Sequence, residues 1–346
     1  MRSVRPTLRV DLEALAHNYR EMRRLAPTAE VGASVKADAY GLGAKAVVAR
    51  LVEEGCRTFY VATPEEGVEV RGVAPDADVY VLNGVMADER EVLAEHDLRP
   101  VLSSPEAVEV WRETCLPCAV MFDTGMNRLG LPVGEAEAVA VSGLEIAHVM
   151  SHLACSPDPK SEMNARQKMA FDEVWPHFPG VTRSLANSGG VYLGETYHYD
   201  AVRPGIALYG GAATSTPEIE STQPVVTVDA TVLQVRDVGV GETVGYDATY
   251  RSERPMRVAV VGLGYADGYL VALSNAGMAV WNGHELPVVG RVSMDLTCLD
   301  ASGTDIAVGD GVQFLGDGLL ATARAAGTID YEILVRLGSR LRRLYG

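Results

Sequence analysis

The chain is 346 residues long and 47% apolar, with a formal net charge of −16. Such a length and apolar share predict one or two domains with a substantial core and exclude extended disorder. The negative balance excludes nucleic acid and anionic membrane as partners, since either would repel the chain, and an anionic cofactor would need locally placed positive charge.

Five cysteines, an odd number, behind an N-terminus without an export-type apolar core predict a reducing, cytoplasmic setting. No stretch approaches the ~18 apolar residues of a membrane span. Cys115 and Cys118 form a C-x-x-C with no second pair, which reads as structure, and no metal site is expected.

Residues 7–10 predict a strand, and Asp11 caps a helix whose Leu12, Leu15, Ala16, Tyr19 and Met22 share one face. Residues 31–35, small and β-branched, predict a buried strand that delivers Lys36 into a Gly-rich loop. The chain has four lysines, and the other three, Lys45, Lys160 and Lys168, lie in stretches that read as exposed helix. An amine on an apolar strand end is costly to desolvate unless neutralised, paired or covalently used. Lys36 therefore either snorkels outward or serves as a Schiff-base lysine on a rigid strand.

A helix over 44–54 stops at Gly55. Strands follow at 58–62, 79–82, 100–102, 119–122, 145–150, 182–185 and 200–202, and helices separate most of them, one beginning near Pro64 and others at 88–95, 105–113, 135–141 and 162–175. With residues 31–35 that makes eight strands alternating with helices, an α/β (β/α)8 TIM-type barrel over 11–222. From 225 the pattern turns β-branched and Gly-punctuated, which predicts a mostly antiparallel β domain over 223–346 with 1–10, closed by a helix at 331–344.

Catalytic groups of such barrels sit after the carboxyl ends of the strands. Lys36 follows the first strand, Arg128 the fifth, His152 the sixth, Asn187 and Ser188 the seventh, and Arg203, Gly205 and Ile206 the eighth. Ser188 with the backbone N–H groups near Gly205 suits a dianion.

The segment V-K-A-D-A-Y-G-L-G at 35–43 resembles the pyridoxal-phosphate lysine motif of the alanine racemase family. The resemblance implies that Lys36 bonds pyridoxal 5'-phosphate and that Tyr40 binds its phosphate. Asp38 and Leu42 stand where the family more often has Asn and His. D-T-G-M-N-R-L-G at 123–130 resembles the motif whose arginine, here Arg128, contacts the substrate and the cofactor's phenolic oxygen. A-V-R-P-G-I-A-L-Y-G at 201–210 is similar to the motif whose arginine, here Arg203, faces the pyridine nitrogen. A guanidinium there stays charged, keeps that nitrogen unprotonated and weakens the ring as an electron sink, which suits a simple proton exchange.

G-L-G-Y-A-D-G-Y at 262–269 resembles the motif of the second base, which implies that role for Tyr265 with His152 beside it. Taking a proton from either face of Cα needs two opposed bases. G-R-V-S-M-D at 290–295 is similar to the loop whose Met backbone, here that of Met294, touches the substrate, with Asp295 in support. In the family these two loops serve the neighbouring barrel, which implies a head-to-tail homodimer. Met121 replaces a lysine that the family often carbamylates, and Ser339 stands where some members have an aromatic. Asp123 or a bound anion is therefore expected to hold Arg128.

The resemblance thus implies an alanine racemase that interconverts L- and D-alanine with two bases, acts on a small amino acid and supplies D-alanine for peptidoglycan. A racemase of broader specificity is the nearest alternative. A barrel-type decarboxylase should lack Arg203 and the G-Y-A-D-G loop, and a non-enzymatic cofactor carrier should end with the barrel.

Overall fold

The structure, a computed structural model, describes residues 5–216 and 222–346. It divides into two units: Leu15–Ala39 with Gly43–Gln223, and Pro224–Gly346 with Tyr40–Leu42 and the residues up to Ala14.

The first unit is built on one parallel sheet. Its first strand is broken at Gly32 into Glu30–Val31 and Ala33–Ser34. Val31 pairs with Val202 of Ala201–Arg203, while Ser34 pairs with Tyr60 of Thr58–Val61. The broken strand thereby joins the two ends of the sheet, and the (β/α)8 barrel closes. Residue 32 has to be glycine, because a Cβ there would lie 2.7 Å from the Tyr60 ring and 3.0 Å from the Thr58 carbonyl.

The strands read as continuous apolar runs because helices cover one face and side chains fill the other. Tyr60, Tyr80, Val101, Ala119, Met121 and Met150 form a packed interior cluster, so Met121 points into the barrel. The Tyr80 ring stacks between Tyr60, 5.5 Å away, and His148, 4.6 Å away.

Helix starts follow local chemistry. Thr63 and Ser104 cap helices that open on proline, Pro64–Val73 and Pro105–Arg112. Asp11 caps Leu12–Leu25 by accepting from the Ala14 N–H at 2.8 Å. The helices over 44–53, 90–95, 105–112, 136–140 and 162–174 start or end one or two residues inside the expected bounds.

The second unit holds a sheet in the order His284–Pro287, Met278–Trp281, Gly311–Leu315, Val226–Val238, Thr7–Val10 and Arg342–Tyr345. Met256–Val261 pairs with the far half of the long strand and with Thr297–Asp300. These pairings are antiparallel except that of Thr7–Val10 with Arg342–Tyr345.

That last strand corrects the expected helix at 331–344. The helix spans only Asp330–Val335. Beyond it Gly338 donates its N–H to the Asp267 carbonyl, the Leu341 N–H returns to Gly338, and the chain pairs with the free edge of Thr7–Val10. Leu334, Leu337 and Leu341 are buried all the same, so their spacing fitted either outcome and the edge decided. No helix among the described residues is long and apolar enough to cross a membrane.

Candidate active site

Lys36 does not enter a glycine loop at once. Ala37, Asp38 and Ala39 have φ of 53° and Tyr40 57°, a left-handed turn of ordinary residues, before Gly41 and Gly43 follow at 84° and 105°. Left-handed backbone costs L-residues about 1–2 kcal/mol each, so neighbours must impose the turn. Ala39 N–H reaches the Val35 carbonyl at 2.8 Å. Asp38, the residue that departs from the family's Asn, accepts from the Ala44 N–H at 2.7 Å and caps the next helix. Glu66 accepts from Ala37 N–H and Ala62 N–H, both at 2.7 Å, and ties the loops after the first two strands together. Nothing in the sequence marked Glu66, which reads as one of two acids at a helix start.

Burial, and then the charge of Arg128, push the Lys36 amine below the ordinary lysine range, against the opposing pull of Glu66. An amine whose pKa is lowered is more often unprotonated near neutral pH, and so more often available to accept a proton or bond a carbonyl.

Asp123 differs from its expected role. Its Oδ1 accepts from the N–H groups of Gly125, Met126 and Asn127 at 2.8, 2.8 and 3.1 Å. The carboxylate folds the turn that leads to Arg128, because donors two to four residues ahead are nearer than the guanidinium. Gly130 ends this turn at φ 141°, where a Cβ would collide with the Asp123 backbone. Arg128 itself is exposed, with no ion pair or hydrogen bond among the described residues.

Arg203 is a buried cation, 6% exposed. It donates to Ser184 Oγ and to the carbonyls of Ser151 and Leu185, all neutral acceptors. Desolvation lowers its pKa. A buried guanidinium without a carboxylate keeps its charge available for another acceptor.

His152 is pushed down to about 3, first by burial and then by Arg203, Arg128 and Lys36. Its ring is therefore neutral, and Nε2 lies 3.5 Å from Asn187 Nδ2, a donor. Asn187 also accepts from Ser156 Oγ at 2.7 Å and from Gly190 N–H at 3.0 Å, starting the turn that holds Ser188. Ser188 Oγ takes N–H bonds from Gly205 at 2.8 Å and Ala207 at 3.3 Å, on either side of the buried Ile206. Beside them a Cβ on Gly189 would lie 2.6 Å from Ser156 Oγ. A hydroxyl gathered with backbone N–H groups at a turn too tight for a side chain makes a donor set suited to a phosphate.

His152 and His148, the latter pushed down to about 4 chiefly by burial, have a consequence for stability. Between those values and the ordinary ~6.5 the unfolded chain holds protons that the folded chain lacks, so stability rises with pH through this window and levels off above it. Urea midpoints are expected to fall as pH drops from 6.5 to 4.5, and His148→Phe to shrink that fall. An identical pH dependence in the variant would refute the assignment.

In the second unit Tyr265 opens a helical turn, Tyr265–Asp267. Its N–H bonds the Ser293 carbonyl and that of Ala266 bonds Met294, both at 3.0 Å, so the two motifs lie backbone to backbone. A Cβ on Gly264 would strike both those carbonyl oxygens, and one on Gly268, at φ 101°, would strike the Arg336 carbonyl. Buried Asp267 lies 3.1 Å from Arg340 Nε, and Arg340 Nη1 donates to Asp295 at 2.7 Å, so this arginine staples the two motifs. The Tyr265 and Met294 side chains stand out at 43% and 53% exposure. Tyr40, buried, has its ring 5.9 Å from that of Tyr331.

Family models describe the same division. The alanine racemase N-terminal domain matches residues 10–213 and the C-terminal domain residues 225–345. The chain is 41% identical to a protein named alanine racemase, biosynthetic, from Agrobacterium fabrum, covering 98% of this chain and 93% of that one. It is 43% identical to the alanine racemase of Acidiphilium cryptum, covering 98% of each. The alanine racemase of Bartonella henselae, solved with covalently bound pyridoxal phosphate, superposes with a TM-score of 0.94 at 36% identity over 99% of this chain and 100% of that one.

Proposed function

Since the chain belongs to the alanine racemase family, we propose that it interconverts L- and D-alanine with pyridoxal 5'-phosphate and two opposed bases. Lys36 bonds the cofactor and works one face of Cα, and Tyr265 works the other. When bound, the cofactor supplies the electron sink that makes the Cα proton acidic. Ser188, Gly205 and Ile206 with Tyr40 hold the phosphate. Arg203, charged and without a carboxylate partner among the described residues, donates to the ring nitrogen and leaves it unprotonated. Arg128 and the Met294 backbone orient the substrate carboxylate. His152, neutral and aligned by Asn187, supports the tyrosine, and Asp295 fixes the Met294 loop through Arg340.

The observation that carries this reading is the company of Lys36 and Arg203. One barrel end holds an amine with a lowered pKa and a buried cation that meets only neutral acceptors among the described residues. We infer further that residues 11–222 form the cofactor-binding domain and that 223–346 with 1–10 complete the active site of a second copy in a head-to-tail homodimer. The exposed phenol of Tyr265 supports this, since a base must meet a substrate held elsewhere. We place the enzyme in the cytoplasm, supplying D-alanine to peptidoglycan, a use in keeping with the Agrobacterium fabrum relative named biosynthetic.

Purified enzyme incubated with L-alanine is expected to yield D-alanine by chiral chromatography, and D-alanine to yield the L form. Comparable rates with other amino acids would favour the broader racemase. Amine and CO2 without any D-enantiomer would sink the racemase reading.

A further inference from the structure

The helix Glu162–Val174 buries Asn164, Gln167, Phe171 and Val174, a stripe at spacings of three and four. Its first two members are carboxamides, where an inner face ordinarily carries apolar groups. A buried carboxamide is costly unless its polar atoms find partners, so the partners show what it is there for. Asn164 serves the entry to its own helix, donating to the Asp158 carbonyl at 2.9 Å. Gln167 has no exposed surface and reaches two loops. Its Oε1 accepts from Ala154 N–H at 2.8 Å, and its Nε2 donates to the His152 carbonyl at 2.9 Å and to Thr124 Oγ1 at 3.4 Å. Both N–H donors and the acceptor oxygen are thereby engaged.

These partners lead into the active site. Thr124 begins the turn that Asp123 folds ahead of Arg128, and its Oγ1 lies 2.8 Å from Ser151 Oγ. The Ser151 carbonyl in turn accepts from Arg203. We propose that Gln167 is a positioning residue of the racemase, clipping the backbone on both sides of His152 to the start of the Arg128 loop and so fixing where His152 and Arg128 stand. An apolar side chain would fill the same space but leave the Ala154 N–H and the His152 carbonyl buried without partners, and the loop would shift to regain them.

The proposal rests on the racemase reading. Its test compares the full-length, cofactor-loaded wild type with Gln167→Met, which keeps the length and loses the bonds, and Gln167→Glu, which keeps the acceptor and loses the donors. Three quantities are read: kcat and KM for alanine in both directions, the thermal midpoint, and the ring-nitrogen NMR signals of histidine-labelled protein, with His152 assigned from a His152→Asn spectrum. The expected result is a loss of about tenfold or more in kcat/KM, as for active-site groups misplaced by ~1 Å. The His152 signal moves while the other histidine signals hold.

Unchanged kinetics overturn the proposal, as does lost activity with the His152 signal in its wild-type place, whatever the thermal midpoint does. If Gln167→Met does not fold, Gln167→Glu decides on the same criteria. A wild type that racemises no amino acid defeats the racemase reading instead, and the His152 signal in the variants still decides the positioning.

Discussion

Lys36→Ala is expected to fold, to bind pyridoxal phosphate only reversibly and to lose racemisation by ~10²–10⁴-fold or more, the usual contribution of a positioned acid–base group. The expected survival of the fold follows from the site. The Lys36 amine is disfavoured by burial and by Arg128, so removing it relieves a cost. The turn behind it hangs on Val35, Asp38 and Glu66, none of which the substitution touches. Activity has no such reserve, because Lys45 and Lys160 are exposed and Lys168 is paired with Asp172 at 2.7 Å. In wild type, borohydride is expected to fix the cofactor on the peptide that contains Lys36. Recovery of the label on any other peptide, or a Lys36→Ala enzyme with a tenth of normal activity, would end this assignment.

What the residues revealed in advance divides along a physical line. The barrel was legible because short, mostly apolar strands alternate with helices eight times, and because Asp11 and the proline at 64 mark helix starts with neighbours in sequence. Lys36 was legible for the converse reason, as a charge set on an apolar strand end, and Arg203 by its place after the eighth strand and its resemblance to a family motif. The left-handed turn at 37–40 was not, since nothing in A-D-A-Y favours it and Glu66, which holds it, lies 29 residues on. The closing strand Arg342–Tyr345 was hidden in the same way. Leu334, Leu337 and Leu341 ahead of it keep helical spacing, and only the edge of Thr7–Val10, more than 300 residues back, made it a strand. Gln167 and Arg340 join loops distant in the chain, so their polar side chains look like surface until the fold brings the loops to them. Asp123 shows the opposite error. Arg128 was expected to be held by Asp123, five residues away, or by a bound anion, and the backbone donors nearest in sequence took the Asp123 carboxylate first.

Tyr265→Phe is expected to lose racemisation about as deeply as Lys36→Ala while still taking up the cofactor, because the hydroxyl is the only group removed and the ring stays where the 265–268 turn holds it. Its loss is uneven. If Tyr265 works the L face and Lys36 the D face, as the family resemblance implies, exchange of the Cα proton from L-alanine falls further than exchange from D-alanine, which Lys36 still serves. Equal losses would remove the assignment of faces. The same two variants test the shared site. In the proposed head-to-tail dimer each site takes its lysine from one chain and its tyrosine from the other. Co-refolding Lys36→Ala with Tyr265→Phe in equal amounts gives mixed dimers in about half of the population, and in each of these one of the two sites carries neither change. Activity is therefore expected to return from near zero to about a quarter of wild type. Purified mixed dimers, separated by differently charged tags, are expected to show about half. Mixed dimers as inactive as their parents would show that lysine and tyrosine act within one chain.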